Sequence, residues 1–298
     1  MAHFSTGGVA QFSVGVDNQH IEITETDSSL SDFYNENHTY LKSKILVTFF
    51  NSYSLRTRAS FISAFLRMGG AHMEFSQHEN MINNKTNIES VADTFGFISE
   101  YCDCLVVRCD SSKLFKDICE SASVPIISAG HGEIENPTTA INYLVSIKRN
   151  LGRLDDLSIL VIAKPPKRCI NSLVTGLKNW KGNSFSFYNP FTGCFYTHDD
   201  CVYIEEVKKG YNKPDLSRFD LVFVDESFSD FKNQKEPKFI IGNSVWKQIS
   251  TNTHFIHAKP IIGLLSDQVK GLVSDQTKLE SKNSAVLKSL IFRTLIDI

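Results

Sequence analysis

Short apolar runs rich in β-branched and aromatic residues alternate with segments of helical periodicity along most of this chain, a pattern that restricts it to parallel sheets covered by helices. Leu46-Val47-Thr48-Phe49-Phe50 predicts a strand. After a polar turn, Phe61, Ala64, Phe65 and Met68 fall on one face of a predicted helix over 60–68, which stops at Gly69-Gly70. Strands are then expected over 71–75, 104–108 and 124–128, with helices over 88–101 and 113–121 between them. Asn136-Pro137 opens a long helix through Asn150, with Pro137 in the first turn, where a missing N–H does no harm.

A second alternating region follows. Strands are expected over 158–163, 184–188, 221–225 and 255–257, a helix over 171–180, and a charged loop over 232–238. An amphipathic helix over 284–298 closes the chain. The expected fold class is α/β, with two domains, each a mainly parallel sheet flanked by helices. The first is placed at 1–150 plus 284–298 and the second at 151–283.

Composition narrows the function classes. The chain has 298 residues, 42% hydrophobic and 21% charged, enough for two domains with their own cores. A net charge of -2 provides no basic field for nucleic acid or a membrane surface. There is no run long and apolar enough to span a bilayer, and residues 1–14 lack the basic start and apolar core of a secretion signal. The seven cysteines, Cys102, Cys104, Cys109, Cys119, Cys169, Cys194 and Cys201, are odd in number and irregular in spacing. That argues for reduced thiols and a cytoplasmic location. Cys102-Asp103-Cys104 is too close-set for a zinc knuckle, so no metal site is read, and no cofactor motif is found.

Open parallel sheets bind ligands at the carboxyl ends of their strands. Arg56, Arg108 and Arg168 each follow or end a predicted strand. Ser54-Leu55-Arg56-Thr57-Arg58 is the best anion candidate among them. Hydroxyls and free N–H groups at a helix start can cradle a dianion, and an arginine fork adds paired donors. Taken alone, such a turn is a common solvated helix start, and Arg58 suits a structural ion pair.

Five segments read together carry more. Phe49 through Phe61, with the helix ending Met68-Gly69-Gly70, resembles the phosphate-binding signature of the aspartate and ornithine carbamoyltransferases. Ser128-Ala129-Gly130-His131-Gly132, followed by Glu135-Asn136-Pro137-Thr138-Thr139, resembles the family's Ala-Gly-Asp-Gly and His-Pro-Thr-Gln. Gly152 through Leu157, Arg168 through Leu173, and Phe255 through Pro260 resemble three further family segments in the same order. The resemblance spans nearly the whole chain, favours the aspartate branch, and implies the transcarbamylase fold.

It further implies carbamoyl phosphate and an amine acceptor as substrates, no cofactor, and a homotrimer with shared active sites. Carbamoyl phosphate would meet Ser54, Leu55, Arg56, Thr57, Arg108, Asn136 and Thr139. Arg56, Thr57 and Asn136 would stabilise the developing oxyanion. Arg168, Glu226 and Lys259 would face the acceptor, and Lys85 would reach in from a neighbouring subunit. Lys259-Pro260 would keep the family's cis bond.

Departures matter as much. Asn136 stands in place of the family histidine; it can donate a hydrogen bond but carries no positive charge. Thr139 replaces a glutamine, and Ile261 an arginine. Glu226 lies near the place of the arginine that holds an acidic acceptor's side chain, so a cationic or hydroxylated acceptor is expected. Two readings result: a carbamoyltransferase acting on an amino-acid-type amine other than aspartate, and a family member that binds ligand or a partner without turnover.

Overall fold

The computed structural model describes residues 30–75, 89–132, 134–165, 167–196, 213–231, 236–249, 251–273, 284 and 287–292. These residues divide into two compact units, one within Met1–Thr138 and Ser281–Ile298, the other within Thr139–Glu280.

In the first unit α1 (Leu30–Asn37) precedes β1 (Ile45–Phe50), α2 (Leu55–Arg67), β2 (Ala71–Phe75), α3 (Val91–Ser99), β3 (Cys104–Cys109), α4 (Ser112–Ser121) and β4 (Ile126–His131). The sheet order is β2-β1-β3-β4, and every pair is parallel. Residues alternate between its two faces. Leu46, Val106 and Ile127 pack with Phe61, Phe65 and Phe292, while Val47, Phe49, Leu105 and Val107 pack with Phe95, Phe115 and Ile118. Apolar partners on both faces explain why these strands read as unbroken hydrophobic runs.

α2 begins at Leu55, five residues before the apolar periodicity does. Its first turn buries no apolar side chain, with Leu55 and Arg56 exposed and Thr57 and Arg58 half-buried, so the hydrophobic pattern missed it. The Ser54–Arg58 segment is therefore the helix N-terminus itself. α6 likewise starts at Arg168, ahead of the expected Asn171.

The second unit takes in α5 (Pro137–Leu151) from Thr139 onward, then β5 (Ser158–Ala163), α6 (Arg168–Leu177), β6 (Ser184–Asn189), β7 (Cys194–Tyr196), β8 (Leu221–Asp225), α7 (Phe228–Phe231), α8 (Asn243–Trp246) and β9 (His254–His257). Its sheet order is β7-β6-β5-β8-β9. All pairs are parallel except β6–β7. β7 has three residues, too few to show a period, and it was not foreseen. Ala140, Tyr143, Leu144 and Ile147 of α5 share a core with Ile159, Val161, Phe223 and Ile256. That packing puts the division between units at the start of α5, whereas the sequence reading set it at the helix end.

At the C-terminus, residues 287–292 are helical, and Phe292 meets Phe65 edge to face with ring centres 4.8 Å apart. Among the described residues, no helix is long and apolar enough to cross a membrane. Among the described residues, Cys102, Cys104, Cys109, Cys119, Cys169 and Cys194 are free thiols. Burial holds Cys102 and Cys119 up at about 11.

The turn after α2 depends on Gly69, at φ +87, where an added Cβ would lie 2.3 Å from the His38 carbonyl oxygen. Gly69→Ala is expected to lower stability by ~2 kcal/mol or more, through left-handed strain plus a backbone clash. Urea unfolding of the two proteins measures it.

Candidate functional site

The carboxyl end of the first sheet carries the groups expected to bind an anion. Ser54 takes the N-cap position of α2, and its side chain makes no cap bond. Its carbonyl accepts the Arg58 N–H at 3.0 Å, which starts the helix. The N–H groups of the first turn have no helical partner. No acidic side chain lies in that turn. The helix dipole therefore presents an uncompensated positive end, with the Ser54 and Thr57 hydroxyls and the exposed Arg56 beside it. Arg58 is used elsewhere: its Nη2 donates to Glu74 on β2 at 2.8 Å.

The chain between β1 and α2 is tied to the end of β3. Asn51 N–H donates to the Arg108 carbonyl, and Asn51 Oδ1 accepts from Asp110 N–H, both at 3.0 Å. Arg108, only 7% exposed, donates through Nε to Ser52 Oγ at 3.2 Å and through Nη1 to the Ala129 carbonyl at 2.9 Å. The β3–β4 register shifts beside it: Val107 pairs with Ser128, but Cys109 pairs with His131. β4 thus holds one extra residue, a bulge that reorients the strand end. Gly130 lies in that bulge at φ +106. An added Cβ there would sit 3.2 Å from Arg108 Nη1, 3.3 Å from the Glu135 carbonyl and 3.5 Å from Asn136 Cγ. The glycine is what lets Arg108 and Asn136 approach the same point. The bulge also folds the chain back, with His131 N–H donating to the Glu135 carbonyl at 3.1 Å, and this delivers Asn136 to the start of α5.

Ser54, Leu55, Arg56 and Thr57 are thus together on one helix turn, and Arg108 and Asn136 meet at Gly130. Thr139 lies half-buried in the first turn of α5. Lys85 lies outside the described residues.

In the second unit, Arg168 opens α6 next to Asp225, the last residue of β8. Burial lowers the Arg168 pKa, opposed by the charges of Cys169 and Asp225. Burial drives Asp225 up to about 6, against the pull of Lys167 and His257. Lys167 is closed off: its Nζ donates to Asp230 Oδ2 at 2.6 Å and to Ser227 Oγ at 2.9 Å. Lys259 is exposed in the segment after β9, and the Lys259–Pro260 bond is cis.

Glu226 requires a correction. It was expected to face the acceptor, but it is 2% exposed. Its Oε1 accepts from Ile262 N–H at 2.5 Å, and its Oε2 from Gly263 and Leu264 N–H at 2.9 and 3.0 Å. His257 Nε2 stands 3.0 Å from Oε1. Burial alone would raise the Glu226 pKa, but these donors outweigh it and hold it below the usual carboxylate value.

Sequence reasoning missed Lys167, Asp225, Asp230 and His257. Asp225 could have been found as the polar end of an apolar strand, and Lys167 as the neighbour of Arg168. The Lys167–Asp230 pairing left no local signal, because its partners lie far apart in the chain.

This fold is shared with known transcarbamylases. Aspartate transcarbamoylase from Trypanosoma cruzi in complex with aspartate and phosphate superposes with a TM-score of 0.73 at 20% identity, covering 88% of this chain and 86% of that one. Ornithine carbamoyltransferase from Pyrococcus furiosus does so at 0.69 and 18%, covering 89% of each. In sequence, residues 17–149 match the aspartate/ornithine carbamoyltransferase carbamoyl-P binding domain. The aspartate carbamoyltransferase catalytic subunit of Wigglesworthia glossinidia brevipalpis is 28% identical over 271 residues, 87% of each chain. That of Methanococcus maripaludis is 35% identical over 152 residues, 51% of this chain and 50% of its own. The chain is similar to the aspartate/ornithine carbamoyltransferases, in sequence over the carbamoyl-P binding part and in fold over both units.

The raised Asp225 value has a measurable consequence. The folded state holds this proton more tightly than the unfolded chain, whose ordinary value is 3.8. The associated stability is full below that value and is lost as pH rises through about 6. Between about pH 4 and pH 7 the wild type is expected to lose roughly 2–3 kcal/mol relative to Asp225→Asn. Urea unfolding of both proteins across that range reads the difference.

Proposed function

We propose that this protein is a carbamoyltransferase that moves the carbamoyl group of carbamoyl phosphate to the amine of an amino-acid-type acceptor. The convergence of Arg108 and Asn136 at Gly130, on the same sheet edge as the α2 N-terminus, carries the reading. The acceptor nitrogen attacks the carbamoyl carbon, the carbon–oxygen bond to phosphate breaks, and the amine gives up a proton. Inorganic phosphate leaves.

The first unit supplies the donor-binding groups. The α2 N–H groups, Ser54, Thr57, Arg56 and Arg108 hold the phosphate, while Arg56, Thr57 and Asn136 face the oxygen that gains charge. Thr139, the first residue of the second unit, stands at the place of the family glutamine that touches the carbamoyl amide. In the second unit Arg168 receives the acceptor carboxylate, with Lys259 as a further cation. Support comes from the relatives named aspartate carbamoyltransferase catalytic subunit and from a T. cruzi aspartate transcarbamoylase structure in complex with carbamoyl phosphate. The reading places the protein in the cytoplasm, in pyrimidine biosynthesis or a related carbamoylation, as a homotrimer whose neighbouring subunit supplies Lys85.

A second reading, ligand binding without turnover, is favoured by one observation: the buried Asn136 offers a neutral amide where the family's histidine donates. Calorimetry with carbamoyl phosphate, followed by phosphate release over a panel of amines, separates the two. Binding is expected, and Arg56→Ala should weaken it by about 10–100-fold, the value of charge-assisted hydrogen bonds to a dianion. Binding with no phosphate release on any amine selects the second reading; absence of binding removes both. Sedimentation showing only monomer would remove the role of Lys85.

A further inference from the structure

The backbone N–H groups of Ile262, Gly263 and Leu264 point together at one carboxylate. Successive N–H groups turned to one side form an anion-binding concavity, which usually takes a ligand. Here the occupant is internal: Glu226, at the end of the neighbouring strand β8, fills it with both oxygens. His257 adds a fourth contact from β9 at 3.0 Å. It is held in turn by Nδ1 donating to the Ala258 carbonyl at 2.6 Å. Glu226 and His257 are each 2% exposed. The segment they grip runs from 258 to 264 and lies outside any helix or strand; backbone bonds tie its ends, Ala258 N–H to the Val224 carbonyl and Ile241 N–H to the Leu264 carbonyl, and Glu226 holds the N–H groups of 262–264. Lys259 projects from it into solvent.

The geometry points to Glu226 as a positioning residue, which fixes segment 258–264 and thereby Lys259 and brings no charge of its own to acceptor recognition. The acceptor part of this inference rests on the reading above; the positioning part does not. Glu226 is engaged by the backbone and Lys167 by Asp230, so neither brings a charge to an acceptor held near Arg168 and Lys259. The substrate class that fits is an amine carrying a carboxylate, with no selection against a second acidic group by Glu226.

Hydrogen–deuterium exchange on the full-length wild type tests the positioning part without any substitution. Amides 262–264 are expected to exchange as slowly as those of β9; exchange at the rate of a free loop overturns the proposal. In Glu226→Gln one oxygen becomes an NH2 that faces N–H donors, so exchange over 258–264 should quicken by about tenfold or more, while β8 stays protected. Glu226→Asp, which keeps the charge but falls short of the loop, should behave similarly if the Gln variant does not fold. Unchanged exchange in a folded variant overturns the proposal. Acceptor kinetics tests the recognition part. Glu226→Gln should raise KM for cationic, neutral and acidic amino-acid acceptors by a common factor, with carbamoyl phosphate affinity unaltered. A shift in preference toward acidic acceptors would make Glu226 a charge filter and overturn it. A protein that turns over no amine fails the proposed function, while the exchange data still decide the positioning role.

Discussion

The guanidinium of Arg108 occupies the space that a side chain on residue 130 would fill, and much of the carboxyl end of the first sheet is organised around that contact. One nitrogen holds Ser52, in the chain leading to α2; another holds the Ala129 carbonyl, in the bulge of β4. Through these bonds, three consecutive neighbours in the sheet present their carboxyl ends in a fixed relation: β1 with its helix, β3 with the arginine, and β4 with its fold-back to Asn136. A buried arginine with these bonds keeps donors for an anion, because the guanidinium has five N–H groups. The register shift in β4 is a local irregularity with a clear physical role: it turns the strand end so that Asn136 arrives where Gly130 leaves room.

The second unit solves a different electrostatic problem. Five ionisable groups, Lys167, Arg168, Asp225, Glu226 and Asp230, crowd the ends of β5 and β8. Burying such charges is tolerable only when each is paired or bonded. Lys167 and Asp230 form a short ion pair closed by Ser227, and Glu226 is neutralised by backbone dipoles and His257. Asp225 is left with weaker compensation, and burial pushes its pKa up to about 6. The outcome is that Arg168, the proposed receptor of the acceptor carboxylate, stands beside the carboxylate of Asp225. Such an arrangement suits a zwitterionic amine better than a simple anion.

The sequence by itself determined the alternation of strands and helices, because buried parallel strands must be apolar on both faces, and that requirement is written residue by residue in runs such as Leu46–Phe50 and Ser158–Ala163. It also marked the turn at Ser54–Arg58 and the arginines at strand ends as anion-site candidates, since strand direction alone assigns ligands to carboxyl ends. It did not show that α2 begins at Leu55, because a helix turn that buries no apolar side chain leaves no hydrophobic period. Only the tertiary structure decided what Glu226 does. From its place in the chain it is a charge at the mouth of a strand; folded, it meets N–H groups some forty residues downstream. The same holds for Lys167 and Asp230, and for the closeness of Arg108 to Asn136 at Gly130. Pairings across such sequence distances depend on which strands become neighbours. Sheet order and register set them, and no local pattern of residues encodes either.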